Sequence, residues 1–349
     1  MSVELVKNSE ETPIAHDRRA HATFFGIDFQ INAAIVIMLE HIKEMDNIRL
    51  EGYDDIDIEL NDRSHILAQA KSVEHSSTDF SNVVANFKKA LVSLSEGAQK
   101  CGNVKQLIFI TNTSRPFGGN VTRPEFMGDA HRCFGDLSQN LQDVVKNKLA
   151  QLSLPLDTSK FMVQILPFET DNLQERYKYV WSLIGDFIAE TKIDPEIISR
   201  KDLRNIWASD LFKSGTMDAF PIHKTKKEVI WPLIYRVTYN IPYDNEDLDE
   251  SERECLESEY RHIIDECNEK FEFVTSVYSD YLHYRQTHSG EREMINAFVL
   301  NQYSTYSYIL NNTSTAVSDE LKEKLIRVIL RSILYKREKI NIIKREVGL

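Results

Sequence analysis

The chain lacks closely spaced cysteines. Cys101, Cys133, Cys255 and Cys267 are scattered without Cys-x-x-Cys spacing, which argues against structural zinc and for a reducing compartment. No apolar run stands out as long enough to span a bilayer, so no membrane segment is expected. The stretch 1–20 is polar and charged with no apolar signal core, so secretion is not expected and the Asn-x-Ser/Thr triplets at Asn112, Asn120 and Asn312 carry no glycosylation meaning. A cytoplasmic protein is the expectation. Gly118-Gly119 follow an apolar run, but no Gly-Lys-Ser/Thr comes after, which excludes a phosphate-binding P-loop. Glu40-His41 lacks the second histidine of a zincin helix, and there is no internal repeat or low-complexity tract. Positive charge is also scarce: 42 Lys and Arg face 54 Asp and Glu, for a net charge of −12. Nucleic-acid binders generally present a basic surface. A role on DNA therefore requires a local basic rim, or a partner or self-assembly that holds the polymer. Of the two, dependence on a partner or self-assembly is preferred, because weak intrinsic binding is easily kept silent.

What is present suffices for two domains, since 349 residues with 42% hydrophobic content support a sizeable core. Asp28 to Met45 reads as a helix apolar on nearly all sides, hence buried. Strands follow around Glu51–Leu60 and Ile66–Lys71, joined by the turn-forming Asn61-Asp62-Arg63-Ser64. Ser77-Thr78-Asp79 is an N-cap pattern before a helix from Phe80 to Ser95. Val104 to Thr111 reads as a buried strand, residues 113–124 as a loop, Phe126 to Leu152 as helix and Phe161 to Pro167 as strand. Beyond Asp171 helices dominate: 173–191, 199–212, 252–284, 291–310 and 318–339. Val229 to Tyr235 is open between a strand and an irregular core piece. The expected architecture is a polar segment (1–20), an α/β domain with a mixed sheet flanked by helices (21–170) and a mainly helical regulatory or oligomerising domain (171–349).

The most informative stretch is Glu51-Gly52-Tyr53-Asp54-Asp55-Ile56-Asp57 followed by Gln69-Ala70-Lys71. Side chains on a strand alternate faces, so a regular strand puts Asp55 and Asp57 on one side, and Glu51 with them, while Gln69 and Lys71 share a side of the next strand. If those faces meet, carboxylate and amide oxygens and one ammonium surround a single point. Mg²⁺ favours hard oxygen ligands, commonly one or two carboxylates plus water and phosphate. It activates water and offsets phosphate charge, while a nearby lysine orients the water or neutralises the phosphate. The sharp reading is metal-assisted phosphodiester hydrolysis; the bland one is a solvated acidic strand.

These residues, with the preceding Phe25-Gly26-Ile27-Asp28-Phe29-Gln30, resemble the PD-(D/E)xK nuclease superfamily in its D…QxK form. The pattern is similar to Mrr-type restriction endonucleases and to the nuclease domains of anti-phage effectors, including that of Lamassu. The resemblance covers roughly the first half of the chain. It implies a restriction-endonuclease-like core, with element order helix, three strands, helix, strand. It implies a metal-dependent DNA endonuclease acting on double-stranded DNA. Asp55, Gln69, Lys71 and Gln30 would be the catalytic set, and Asp55, Gln69 and Asp57 would hold Mg²⁺, with Mn²⁺ as a substitute. By domain layout it further implies an SMC-like ATPase complex as partner and a homo-oligomer as the active state. Two alternatives stand beside it: a catalytically inactive nuclease fold serving as a protein-binding adaptor, and a stand-alone modification-dependent restriction enzyme.

Other polar groups are weaker. Arg115 and Arg123, in the loop after the 104–111 strand, are candidate phosphate contacts. His65 and His75 flank the Gln-Ala-Lys strand without a partner at helical ligand spacing. Phe298, Tyr303, Tyr306, Tyr308 and Ile309 form an aromatic stretch suited to core or interface. Lys336 to Arg345 gives the last helix a basic end, which suits its dipole.

Overall fold

A computed structural model describes residues 18–74, 80–119, 123–169, 171–193, 198–216, 223–238, 248–288, 294–310 and 318–349. In chain order the elements are α1 (Arg18–Glu40), β1 (Met45–Leu50), β2 (Ile56–Leu60), β3 (His65–Lys71), α2 (Phe80–Cys101), β4 (Val104–Thr111), β5 (His131–Cys133), α3 (Gln139–Leu152), β6 (Phe161–Ile165), α4 (Leu173–Glu190), α5 (Arg200–Gly215), β7 (Lys224–Thr225), α6 (Lys226–Thr238), α7 (Glu250–Glu259), α8 (Arg261–Asn268), α9 (Phe271–Thr287), α10 (Met294–Gln302) and α11 (Asp319–Val347). The sheet order is β5-β6-β4-β3-β2-β1-β7. β3, β4 and β6 run parallel, and the remaining pairs are antiparallel. A mixed sheet flanked by helices, followed by a helical region, is thus the architecture.

α1 is apolar nearly all round because it has neighbours on both sides: β1 to β3 beneath it, α4 and α5 above. By length and composition Ala20–Glu40 could cross a bilayer, and over half of that stretch is buried within the protein. That corrects the expectation that no run reaches such a length; apolarity here serves packing on two sides. The helix also starts at Arg18 and stops at Glu40, so the expected helix end at Met45 is instead the start of β1. The β2–β3 hairpin forms where Asn61–Ser64 foretold it: Leu60 N donates to Ser64 O (2.8 Å), and Asp62 Oδ1 accepts from Ser64 N (2.9 Å).

Period-two alternation divides two cores. On β3, Ile66, Ala68 and Ala70 face the α1 layer, while Leu67 joins Phe87, Ala90, Leu91 and Leu94 of α2 on the other side. Gln69 and Lys71 have the parity of Leu67. On the α1 side, one core runs from Phe29 and Ile35 through Ile184, Leu203 and Trp207 to Leu330 and Ile343 of α11. The boundary placed near Asp171 falls between β6 and α4, yet the core crosses it. So does the sheet, because β7 pairs with β1 (Ile48 opposite Lys224).

Several expected elements are redrawn. Phe126–Leu152 is a short helical turn (Arg123–Phe126), β5, a second turn and only then α3. Val229–Tyr235 lies in α6, which accommodates Pro232. The helix expected over 252–284 divides into α7, α8 and α9. The 291–310 helix is α10 followed by a 3-10 stretch (Tyr303–Leu310), in which Tyr306 is buried and Tyr308 exposed. Ser77-Thr78-Asp79 and His75 lie outside the described residues.

Candidate active site

Leu50 pairs with Ile56 across β1 and β2, leaving Glu51–Asp55 as a five-residue connection. Glu51 has φ 55°, a left-handed conformation that is uncommon without glycine. Its N–H donates to Asp55 O (3.1 Å). Asp54 Oδ1 accepts from Asp55 N (2.9 Å) and from Ser93 Oγ on α2 (3.0 Å). α2 can come this close because residue 97 is glycine: a Cβ there would lie 2.7 Å from Tyr53 O.

That loop carries Asp55 to the end of β3. Asp55 Oδ2 accepts from Ala70 N (3.1 Å), from Lys71 Nζ (3.2 Å) and from the Gln69 amide nitrogen. Gln30, on α1, donates through Nε2 to Glu51 Oε1 (2.8 Å) and to Asp55 O (3.1 Å). The structure therefore brings together Gln30, Asp55, Gln69 and Lys71, and adds Glu51. Gln69 is buried, while Asp55 and Lys71 retain some solvent access.

Asp57 is not brought into this cluster. Asp55 precedes the first residue of β2, so strand alternation does not relate the two carboxylates. Asp57 is fully buried and bound by Arg49 (Nε to Oδ2, 2.6 Å) and His65 (Nδ1 to Oδ1, 2.7 Å). Arg115 is half-buried, with its backbone N–H on Thr113 Oγ1 (3.2 Å). Arg123 opens the 3-10 turn Arg123–Phe126, and its side chain lies outside what is described.

Three supporting residues escaped the sequence reading. Ser93 and Gly97 form the seat for the acidic loop. Asn112 is buried; it donates to Val73 O (2.8 Å) and Phe168 O (3.1 Å) and accepts from Val73 N (2.8 Å). It thereby fixes the chain just after Lys71. The available signal was register: Lys71 pairs with Thr111, so the next polar residue sits beside the site.

Burial is the main force on the acids. It pushes Asp55 above the usual carboxylate range, Lys71 pulls it back down and Glu51 pushes it up again. Asp54 is raised to about 7, chiefly by burial, and among the described residues its Oδ2 has no hydrogen-bond partner. Burial thus favours the neutral form of these acids, and Lys71 counteracts it at Asp55. Among the described residues no three His, Cys, Asp or Glu side chains converge at metal-ligand spacing. The donor set is two carboxylates, Asp55 and Glu51, with the Gln69 amide beside them. Such a set suits Mg²⁺, which keeps several waters and takes few protein ligands. No protein-family model, curated protein or solved structure matches the chain.

Proposed function

We propose that this chain is a Mg²⁺-dependent DNA endonuclease of the PD-(D/E)xK type, in the D…QxK form. One observation carries the reading: Asp55 accepts from Gln69, Ala70 and Lys71 while Gln30 bridges Glu51 to the Asp55 backbone. Acid, amide and amine drawn together from a helix, a loop and a strand supply the groups that a phosphodiesterase site uses. Asp55, Glu51 and Gln69 would hold the cation, with Mn²⁺ as a substitute. When bound, it supplies Lewis-acid stabilisation of charge on the phosphate. Lys71 holds its ammonium beside Asp55, where it can donate to a non-bridging phosphate oxygen and offset the charge that grows there. Gln30 fixes the Glu51 carboxylate, and Asn112 fixes the backbone that follows Lys71. Hydrolysis adds water across one P–O bond, leaving a phosphate on one fragment and a hydroxyl on the other.

The biological setting belongs to the same proposal: an effector nuclease of anti-phage defence, of the Lamassu kind, silent until release from an SMC-like ATPase complex allows self-assembly on double-stranded DNA. The net charge of −12 supports gating, because a monomer with this balance lacks the electrostatic grip that DNA binding draws on. A second reading has its own support. Asp55 Oδ2 is already supplied with three donors, as in a structural network of an inactive nuclease fold used as an adaptor. Plasmid cleavage with Mg²⁺ or Mn²⁺ separates the two, comparing wild type, Asp55→Ala and Lys71→Ala, each alone and in complex purified from the native operon. Loss of cutting in both variants is expected. Equal cutting by all three removes the site, and tight DNA binding by the monomer at physiological salt removes the gating.

A further inference from the structure

One face of α2 runs along the edge of this site. Asn86 Nδ2 donates to the main-chain oxygen of Ser72 (3.3 Å), the residue after Lys71. Ser93 Oγ donates to Oδ1 of Asp54 (3.0 Å), the residue before Asp55. Two turns of helix therefore reach from the chain that leaves Lys71 to the chain that enters Asp55. At about 100° per residue, Asn86, Ser93 and Gly97 fall within about 40° of one another. Lys89 lies between Asn86 and Ser93 along the axis and about 40–60° round from them, on the side away from the buried Ala90, Leu91 and Leu94. It is exposed, and among the described residues no carboxylate pairs with its ammonium. Helical side chains lean toward the N-terminus, so Lys89 leans toward Asn86 and the Lys71 end. Glu96, the next acid on that side of the helix, is two turns away, about 10 Å along the axis.

Duplex DNA approaching Asp55 and Lys71 meets three carboxyl groups, those of Glu51, Asp54 and Asp55. Lys71 is the cation at the centre, and Asp55 already engages it (3.2 Å). The phosphates on either side of the scissile one therefore need a charge of their own, and an exposed ammonium on the rim supplies it without competing for Asp55. A lysine is a compact point charge with three donors on a flexible stem, suited to a phosphate whose place shifts with DNA sequence. Phosphate contacts fix register and orientation and carry no sequence information. Resting on the phosphodiesterase reading above, we propose that Lys89 is a substrate-positioning residue, which binds a backbone phosphate of double-stranded DNA adjoining the scissile one. A single contact of this kind leaves the grip of a monomer weak, in keeping with gating by assembly.

The test uses the full chain without metal, so that binding is read apart from cutting. Anisotropy of a labelled hairpin duplex is followed over a series of salt concentrations. Lys89→Gln is expected to weaken binding about 5- to 10-fold at roughly 0.1 M salt, and to lower the slope of log affinity against log salt by about 1. The loss is the same for duplexes of different sequence, and Lys89→Arg restores both quantities. Lys88→Gln is the matched control. It removes the same charge about 100° further round the helix, turned away from Ser72 and Asp54, so affinity and slope change little. Because Lys88 and Lys89 are both exposed, thermal melting of the variants should match wild type. Unchanged affinity and slope in Lys89→Gln overturn the proposal, as does an equal loss in Lys88→Gln, which marks diffuse attraction instead of a placed contact. Wild type that binds no duplex at the lowest salt overturns it as well. Failure of the nuclease reading shows separately, as Mg²⁺-dependent cleavage that survives Lys71→Ala.

Discussion

Replacing Asp28 by alanine tests how the helical region holds α1, the helix that carries Gln30. Asp28 lies two residues before Gln30, and its carboxylate joins three helices. Oδ2 accepts from Tyr177 Oη (2.7 Å) and Arg176 (3.3 Å), and Oδ1 from Arg204 (2.8 Å) and Asn32 (2.9 Å). Arg204 stacks 4.0 Å above the Tyr177 ring and also donates to Asn32 Oδ1 (3.0 Å). The arginine side chains are 12% exposed and Asp28 is 24% exposed. Removing one partner of a buried pair costs about 3–5 kcal/mol. The remaining solvent access at Asp28 lowers this to about 2–3 kcal/mol. Urea unfolding should report that loss as a lower midpoint with an unchanged slope. A double-mutant cycle with Arg204→Met should give a coupling of about 1–3 kcal/mol. DNA cleavage at a temperature where Asp28→Ala remains folded should fall as well, because α1 carries Gln30. A stability loss under about 0.5 kcal/mol, the range of ordinary surface changes, would show that solvent screens the cluster and that it does not hold α1.

Three further outcomes are expected. Burial raises Glu40 from 4.5 to about 7, so between those values the folded chain binds protons that the unfolded chain has released, and stability falls as pH rises through that window. His131, 3.4 Å away with its pKa lowered by burial, acts in the opposite sense below about 6.5. Wild type and Glu40→Gln should therefore differ in pH slope, and parallel profiles refute the assignment. Gly97→Ala forces apart α2 and the loop at Tyr53, at a cost of about 1–3 kcal/mol, and should reduce cleavage more than Ser93→Ala; a silent variant refutes the close approach. Mg²⁺ at ten times a millimolar dissociation constant should stabilise wild type by about 1.4 kcal/mol; equal protection of Asp55→Asn and Glu51→Gln refutes the donor set.

Legibility in the sequence followed local periodicity. Gln69 and Lys71 were readable because an alternating strand admits one register, and the Ile66–Ala70 parity places both on the α2 side. Asp57 was grouped with Asp55 by alternation, and it does have the parity of Gln69 and Lys71 through its pairing with Leu67; its carboxylate is nevertheless taken by Arg49 and His65, partners that spacing along the chain does not reveal. β1 was hidden because its apolar residues, Ile48 and Leu50, prolong the apolar run of α1 without a proline or glycine to mark the change. The breaks at Tyr260 and Lys270 likewise carry no glycine or proline, so α7 to α9 read as one helix. β7 is two residues long and exists only because β1 offers it an edge. Glu51 could be noticed only as an acid near the others; its bond to Gln30 joins residues whose meeting depends on how α1 crosses the sheet.

A fragment ending at residue 170 tests whether the chain divides where its motifs stop. The cut would remove α4 and α5 from α1, and with them Val180, Ile184, Leu203 and Trp207, each at most 2% exposed in a core shared with Phe29 and Ile35. Burying a large apolar side chain contributes about 1.5–3 kcal/mol, so these four account for about 6–12 kcal/mol, as much as the whole net stability of a typical domain. The fragment would also lose the β7 edge on β1 and the Arg176 and Arg204 contacts to Asp28. It is therefore expected to be insoluble or to unfold without a cooperative transition. A soluble 1–170 fragment that melts cooperatively and still loses cleavage on Lys71→Ala would show that α1 needs only the sheet, and the helical region would then be a separable appendage instead of the second wall around α1.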